Sequence, residues 1–198
     1  MQDAGIIRGA YHFARPGSDA KTQADFFVDT VISAGGYNAS RTMQLVLDLE
    51  AADDLSAAEV WAWVQTWTAQ VKQRTSRPPI ICESLVSLSA NSILTLMHSC
   101  TSDFTRADTG YYFWNDSVGA PTDNLDSPLW IASYTSPAPV GIPTAWKSLG
   151  WAFWQYDDNG ATVPGGSSSA VPGISGNVDV SYFQNSGNYP SLESLCFS

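Results

Sequence analysis

Apolar and polar positions alternate in two periods along this chain, and the switch between them marks out its elements. "IIRGAYHF" (6–13) reads as a buried strand that ends in polar aromatics. "DAKTQADFFVDTVIS" (19–33) carries apolar residues at helical spacing. "MQLVLDLE" (43–50) is a second apolar strand. In "DLSAAEVWAWVQTWTAQVKQRT" (54–75), Trp61, Val64, Trp67 and Val71 repeat at helical spacing. Ser56 with Glu59 three residues on predicts a capping box at the start of that helix. "PPII" (78–81) opens a third strand. This β-α-β-α-β order predicts parallel strands joined by crossover helices, an α/β fold. Later, "PLWIASY" (128–134), "GWAFWQY" (150–156) and "NVDVSYF" (177–183) read as short strands, with a loop by composition at 159–177.

Two acids stand where one apolar strand ends. Side chains alternate along a strand, so Asp48 and Glu50 share a side, roughly 7 Å apart along the chain. The C-terminal ends of parallel strands are where barrels and open α/β sheets build their sites. Neighbouring acids in a partly apolar setting tend to divide, one ionised and one protonated, which is the provision glycoside hydrolysis needs. The plainer alternative is that both acids merely open the next helix. Against it, Asp53, Asp54 and Ser56 already occupy the capping region.

Composition narrows the partners. The chain has 198 residues with 9 Lys+Arg against 19 Asp+Glu, a formal charge of −10, which disfavours a phosphate backbone as ligand. Only 14% of residues are charged while Trp, Tyr and Phe number eight each, a balance suited to stacking on sugar rings. One domain spanning 1–198 is the expectation at this length. The three cysteines, Cys82, Cys100 and Cys196, form no metal-ligand pair and no disulfide-built scaffold. Neither a membrane-spanning run nor a signal peptide is present in these residues.

Five segments in order, "GAYHFARP" (9–16), "LDLE" (47–50), "LWIASY" (129–134), "WAFWQY" (151–156) and "VDVSYF" (178–183), resemble glycoside hydrolase family 25, the Chalaropsis-type lysozymes or N-acetylmuramidases. The resemblance implies an irregular (β/α)5(β)3 TIM-like barrel. It also implies hydrolysis of the β-1,4 bond between N-acetylmuramic acid and N-acetylglucosamine in bacterial peptidoglycan. On it, Glu50 is the general acid/base, and Asp48 and Asp179 support the reacting centre. Tyr11, His12, Trp130, Tyr134, Trp154 and Tyr156 become sugar contacts, each with ordinary packing as the alternative. No cofactor or metal is implied, and a secreted monomer is expected.

Two departures from the family pattern qualify this. The pattern's first strands, with an Asp in a "DxSxxQ"-like motif, lie upstream of "GAYHF", so the barrel is expected to lack two strands here. Residues 82–108 interrupt the run from "PPII" to "TGYYFW". Cys82-Glu83-Ser84 can be encoded with a splice donor and Ala107-Asp108 with an acceptor, and their joining would restore a tyrosine. The segment is therefore a retained intron of a eukaryotic, fungal gene, or else an insertion loop. The alternative functions are a vestigial peptidoglycan-binding protein and a chitinase-like glycosidase.

Overall fold

The computed structural model describes residues 6–37, 41–84, 113–133, 137–139, 141–157 and 178–197. Six strands form one sheet in sequence order: β1 (Tyr11–Phe13), β2 (Val46–Leu49), β3 (Ile80–Ser84), β4 (Leu129–Ala132), β5 (Phe153–Asp157) and β6 (Val180–Phe183). The first five run parallel and β6 returns antiparallel to β5. The β-α-β-α-β order thus stands as expected, with α1 (Ala20–Ser33) and α2 (Ala57–Thr75) as its crossovers. No pairing joins β1 to β6, so the sheet is not closed into a barrel among the described residues.

Local chemistry sets the helix ends. Asp19 accepts the Thr22 N–H at 2.7 Å and starts α1. The expected capping box opens α2, where the Glu59 carboxylate accepts the Ser56 N–H at 2.9 Å. α2 ends at Ser76, whose φ of 60° is left-handed, and Lys72 and Arg74 occupy the final turn beside the helix's negative end. Arg74 then reaches Asp25 and Asp29 of α1 at 2.7 and 2.6 Å, which sets the pairing of the two helices.

Alternation along the strands separates two cores. Leu45, Leu47, Leu49, Ile81, Leu129 and Ile131 meet the helices. Val64, Trp67 and Val71 come down from α2 to meet them, all fully buried. The opposite face carries Val46, Ile80, Cys82 and Phe153. Each fully buried aliphatic side chain here contributes about 1.5–3 kcal/mol. Of the interrupting segment 82–108, Cys82, Glu83 and Ser84 complete β3 and the remainder lies outside the described residues. A short helix, α3 (Phe113–Asp116), follows and buries Trp114 against Trp146, with ring centroids 4.6 Å apart. Sequence pattern alone had marked no helix there, because four residues are too few to show a period.

Candidate active site

Strand β2 carries Asp48 on the face opposite the helices, level with Phe13 of β1 and Cys82 of β3. The side chain is fully buried. Its main-chain carbonyl accepts the Ala14 N–H at 2.8 Å, which ties the end of β1 to β2 at this level. Burial, and after it the charge of Asp179, raise the Asp48 carboxyl from its ordinary range to about 7. Asp179 immediately precedes β6 and is exposed. The charge of a carboxyl group far away in the chain therefore bears on Asp48. Glu50 lies one residue beyond β2 and is half-buried.

Beyond Glu50 the loop is fastened to its neighbour. Asp53 accepts the Arg15 Nε–H with both oxygens, at 3.0 and 3.1 Å, and the Gly17 N–H at 3.1 Å. Asp53 and Asp54 both take left-handed backbone, with φ of 48° and 63°. This clamp joins the loop after β1 to the loop after β2 and lines an open hollow of about 450 Å³ beside the strand ends. A second cavity of about 340 Å³ opens on the helix-free face, where Trp130, Phe153, Asp179, Ser181 and Phe183 form part of its wall.

The expected sugar contacts divide between the two faces. Trp130 lines the same cavity as Asp179 and packs on Phe153 at 4.8 Å. Tyr11 is level with Val46, on Asp48's side of β1, and 56% exposed. His12 is placed on the helix side. Its ring stacks on Trp67 at 5.6 Å, its Nε2 meets Gln23 Oε1 at 2.9 Å, and burial lowers its pKa. Trp154 is buried on the helix side as well, where its indole N–H donates to the Ser133 carbonyl at 2.6 Å. Tyr156 follows it there, 5.7 Å from the Trp154 ring. Tyr134 lies outside the described residues.

One polar residue that sequence reasoning passed over stands on the same face as Asp48. Gln155 alternates with Trp154 along β5, shares the side of Phe153 and is buried. The pairing with β6 slips between Gln155 and Asp157, so simple alternation ends there, and Asp157 is buried beyond the slip. The signal was available in "FWQYD": a polar residue inside a buried strand is costly unless it serves a polar site. The more conspicuous aromatics drew the assignment instead. Among the described residues, no group of three His, Cys, Asp or Glu side chains could hold a metal ion.

Comparison with known proteins bears on this arrangement directly. The sequence pattern described as Glycosyl hydrolases family 25 matches residues 1–95. The protein is 32% identical over 193 residues to Lysozyme M1 of Streptomyces globisporus, covering 93% of this chain and 52% of that one. In sequence the chain is similar to glycoside hydrolase family 25. The N,O-diacetylmuramidase of Chalaropsis sp is 27% identical, with 87% of this chain and 71% of that one covered. In three dimensions this chain superposes on the bacterial lysozyme from Streptomyces coelicolor with a TM-score of 0.69 at 28% identity, covering 99% of this chain and 75% of that chain. This chain spans about half the length of Lysozyme M1.

Proposed function

We propose that this domain is a lysozyme-type glycosidase that hydrolyses the β-1,4 bond between N-acetylmuramic acid and N-acetylglucosamine in bacterial peptidoglycan. The observation that carries the reading is the full burial of Asp48 near the C-terminal end of a parallel strand, with Glu50 two residues on and the charge of Asp179 bearing on it. In this reading the six strands are part of an irregular (β/α)5(β)3 barrel whose helix-free face is its interior.

Glu50 donates a proton to the glycosidic oxygen as the bond from the anomeric carbon breaks, and water completes the sugar after the leaving group departs. Asp48, whose carboxyl is raised to about 7 by burial and by the charge of Asp179, and Asp179 itself supply carboxylate charge to the positive charge that develops on the ring. Trp130 and Tyr11, on the same face, offer ring surfaces to the glycan. His12, Trp154 and Tyr156 act one step back by holding strand ends in place, through their contacts with the helix-side core. The substrate is a cell-wall polymer, so the place of action is extracellular.

The reading is tested by loss of turbidity in a bacterial cell-wall suspension, followed by mass spectrometry of the released fragments. Fragments with N-acetylmuramic acid at the reducing end are expected. Chitin-type fragments would favour the chitinase-like alternative. Retention of the protein on cell walls with no fragment release would favour a vestigial binder.

A further inference from the structure

Glu50 stands on a short stretch of chain that is pinned on both sides to the loop after β1. On one side, the Asp48 carbonyl accepts the Ala14 N–H at 2.8 Å. On the other, the Asp53 carboxylate accepts the Arg15 Nε–H at 3.0 and 3.1 Å, pairs with Arg15 Nη2 at 3.0 Å and accepts the Gly17 N–H at 3.1 Å. The loop after β1 is itself anchored in the helix layer. Gln23 of α1 donates its side-chain amide to the Arg15 and Ser18 carbonyls at 2.8 and 3.2 Å. Trp63 of α2 donates its indole N–H to the same Ser18 carbonyl at 2.7 Å. Asp53 therefore moors the segment that follows Glu50 to a support held by both helices.

The mooring is more specific than a surface ion pair. Residues 52–55 form a turn closed by the Leu55 N–H to the Ala52 carbonyl at 3.0 Å, and both central residues, Asp53 and Asp54, are left-handed. Two successive left-handed residues other than glycine persist only where their surroundings hold them, and the contacts of Asp53 do so here. The fit is close: a Cβ on Gly17 would stand 3.1 Å from the Asp53 Cβ and push the two loops apart by a few tenths of an ångström. Helix capping does not account for Asp53, because Ser56 and Glu59 already cap α2. Nor does overall stability, since Arg15 is 54% exposed and an ion pair so open to water contributes little. The Arg15 hydrogen bond holds the Asp53 carboxyl below its usual range, so the clamp stays charged at neutral pH. What the clamp does fix is the course of the chain from Glu50 into α2.

We propose that Asp53, clamped by Arg15 and Gly17, is a positioning residue that holds Glu50 in place for proton donation. The proposal rests on the reading of Glu50 as the acid, and Asp53 acts on it through the main chain of Ala51 and Ala52. The test compares the full chain with Asp53→Ala and with Gly17→Ala, which keeps every polar group of the clamp and carries the same comparisons if Asp53→Ala does not fold. In Asp53→Ala the Leu55 amide should exchange about tenfold or more faster, while the Ala14 amide and those of α2 keep their parent rates. The kcat for fragment release from cell walls should fall about 10–100-fold with KM within about twofold, and Gly17→Ala should show a smaller fall of the same kind. Added to Glu50→Gln, Asp53→Ala should cost no further rate, because the group it positions is gone. Lys72→Ala, which breaks the exposed pair with Asp126 near the other end of α2, should change neither reading. An unchanged Leu55 exchange rate would overturn the proposal. So would a parent-like kcat where Glu50→Gln is inactive, or an equal loss with and without Glu50. Parent-like activity in Glu50→Gln would overturn the acid assignment and this role with it, and the exchange rates tell that outcome apart, since they follow the clamp whether or not glycan is cleaved.

Discussion

Replacing Glu83 by Gln should flatten a steep fall in stability with pH. Glu83 sits on β3 level with Leu49 and Ile131, in the apolar layer beneath the helices, and is fully buried. One carboxylate oxygen accepts the Trp114 N–H at 3.1 Å, and the other has no partner. Burial raises its pKa from 4.5 to about 8, against a smaller lowering by the Trp114 bond. A carboxyl whose folded pKa is raised keeps its full stability below the unfolded pKa and loses it as pH climbs through the folded value. The window from 4.5 to about 8 therefore spans at most about 5 kcal/mol, at about 1.4 kcal/mol per pH unit. Gln keeps the acceptor for Trp114 and removes the titration. Its amide leaves a buried donor unmet, a cost of about 1–3 kcal/mol that does not vary with pH.

Calorimetric melts at pH 5.5 and 7.5 read the difference. Glu83→Gln should gain on the parent by about 2.7 kcal/mol between the two pH values, or roughly 5–10 °C in relative Tm for a chain of this size. Asp48 titrates in the same range, yet it lies on the opposite face and is present in both proteins, so it cancels. A Tm difference that stays constant from pH 5.5 to 7.5 would refute the reasoning.

Ser76→Gly should stabilise the fold by up to about 1 kcal/mol, because Ser76 holds a left-handed φ of 60° at the end of α2; thermal melts at one pH suffice to read it. Trp130→Ala should raise KM on cell-wall substrate while Trp154→Phe, which loses the bond to the Ser133 carbonyl, should lower Tm and leave KM unchanged. Equal effects of the two on KM would undo the division of faces. We propose that residues 82–108 are a retained intron: transcript sequencing should find a spliced form that reads from Ile81 through a tyrosine into Thr109, replacing the buried Glu83 with a residue of another kind. A transcript population that uniformly retains the segment would establish it as an insertion loop.

How much of this could be read in the sequence follows from how far each signal is local. The parallel β-α-β-α-β start was legible because helix and strand periods differ, and Ser56 with Glu59 marked the start of α2 within a residue. The position of Asp48 at a strand end was legible for the same reason. Asp179 could be set beside it only through the family resemblance, since 131 positions of chain separate the two and no local pattern links them. The facing of individual aromatics was lost through their prominence. His12 next to Tyr11 looks like half of a polar pair, yet alternation sends one ring to the open face and the other into Phe27 and Trp67. Alternation also held the answer for Gln155, where polarity inside an apolar strand deserved more weight than the adjacent rings; for Asp157 the slip in pairing with β6 breaks the alternation. The unclosed sheet was expected only through the family resemblance, since strand pairing leaves no local pattern.

The central claim is that Glu50 performs acid/base chemistry on a peptidoglycan glycan. The most direct measurement compares reducing-end N-acetylmuramic acid release by the parent and Glu50→Gln proteins, purified alike and matched by circular dichroism, in whichever form of the chain hydrolyses cell walls. Loss of proton donation should cost about 10²–10⁴-fold in rate with the melting curve retained. Release by Glu50→Gln within a few-fold of the parent would contradict the account.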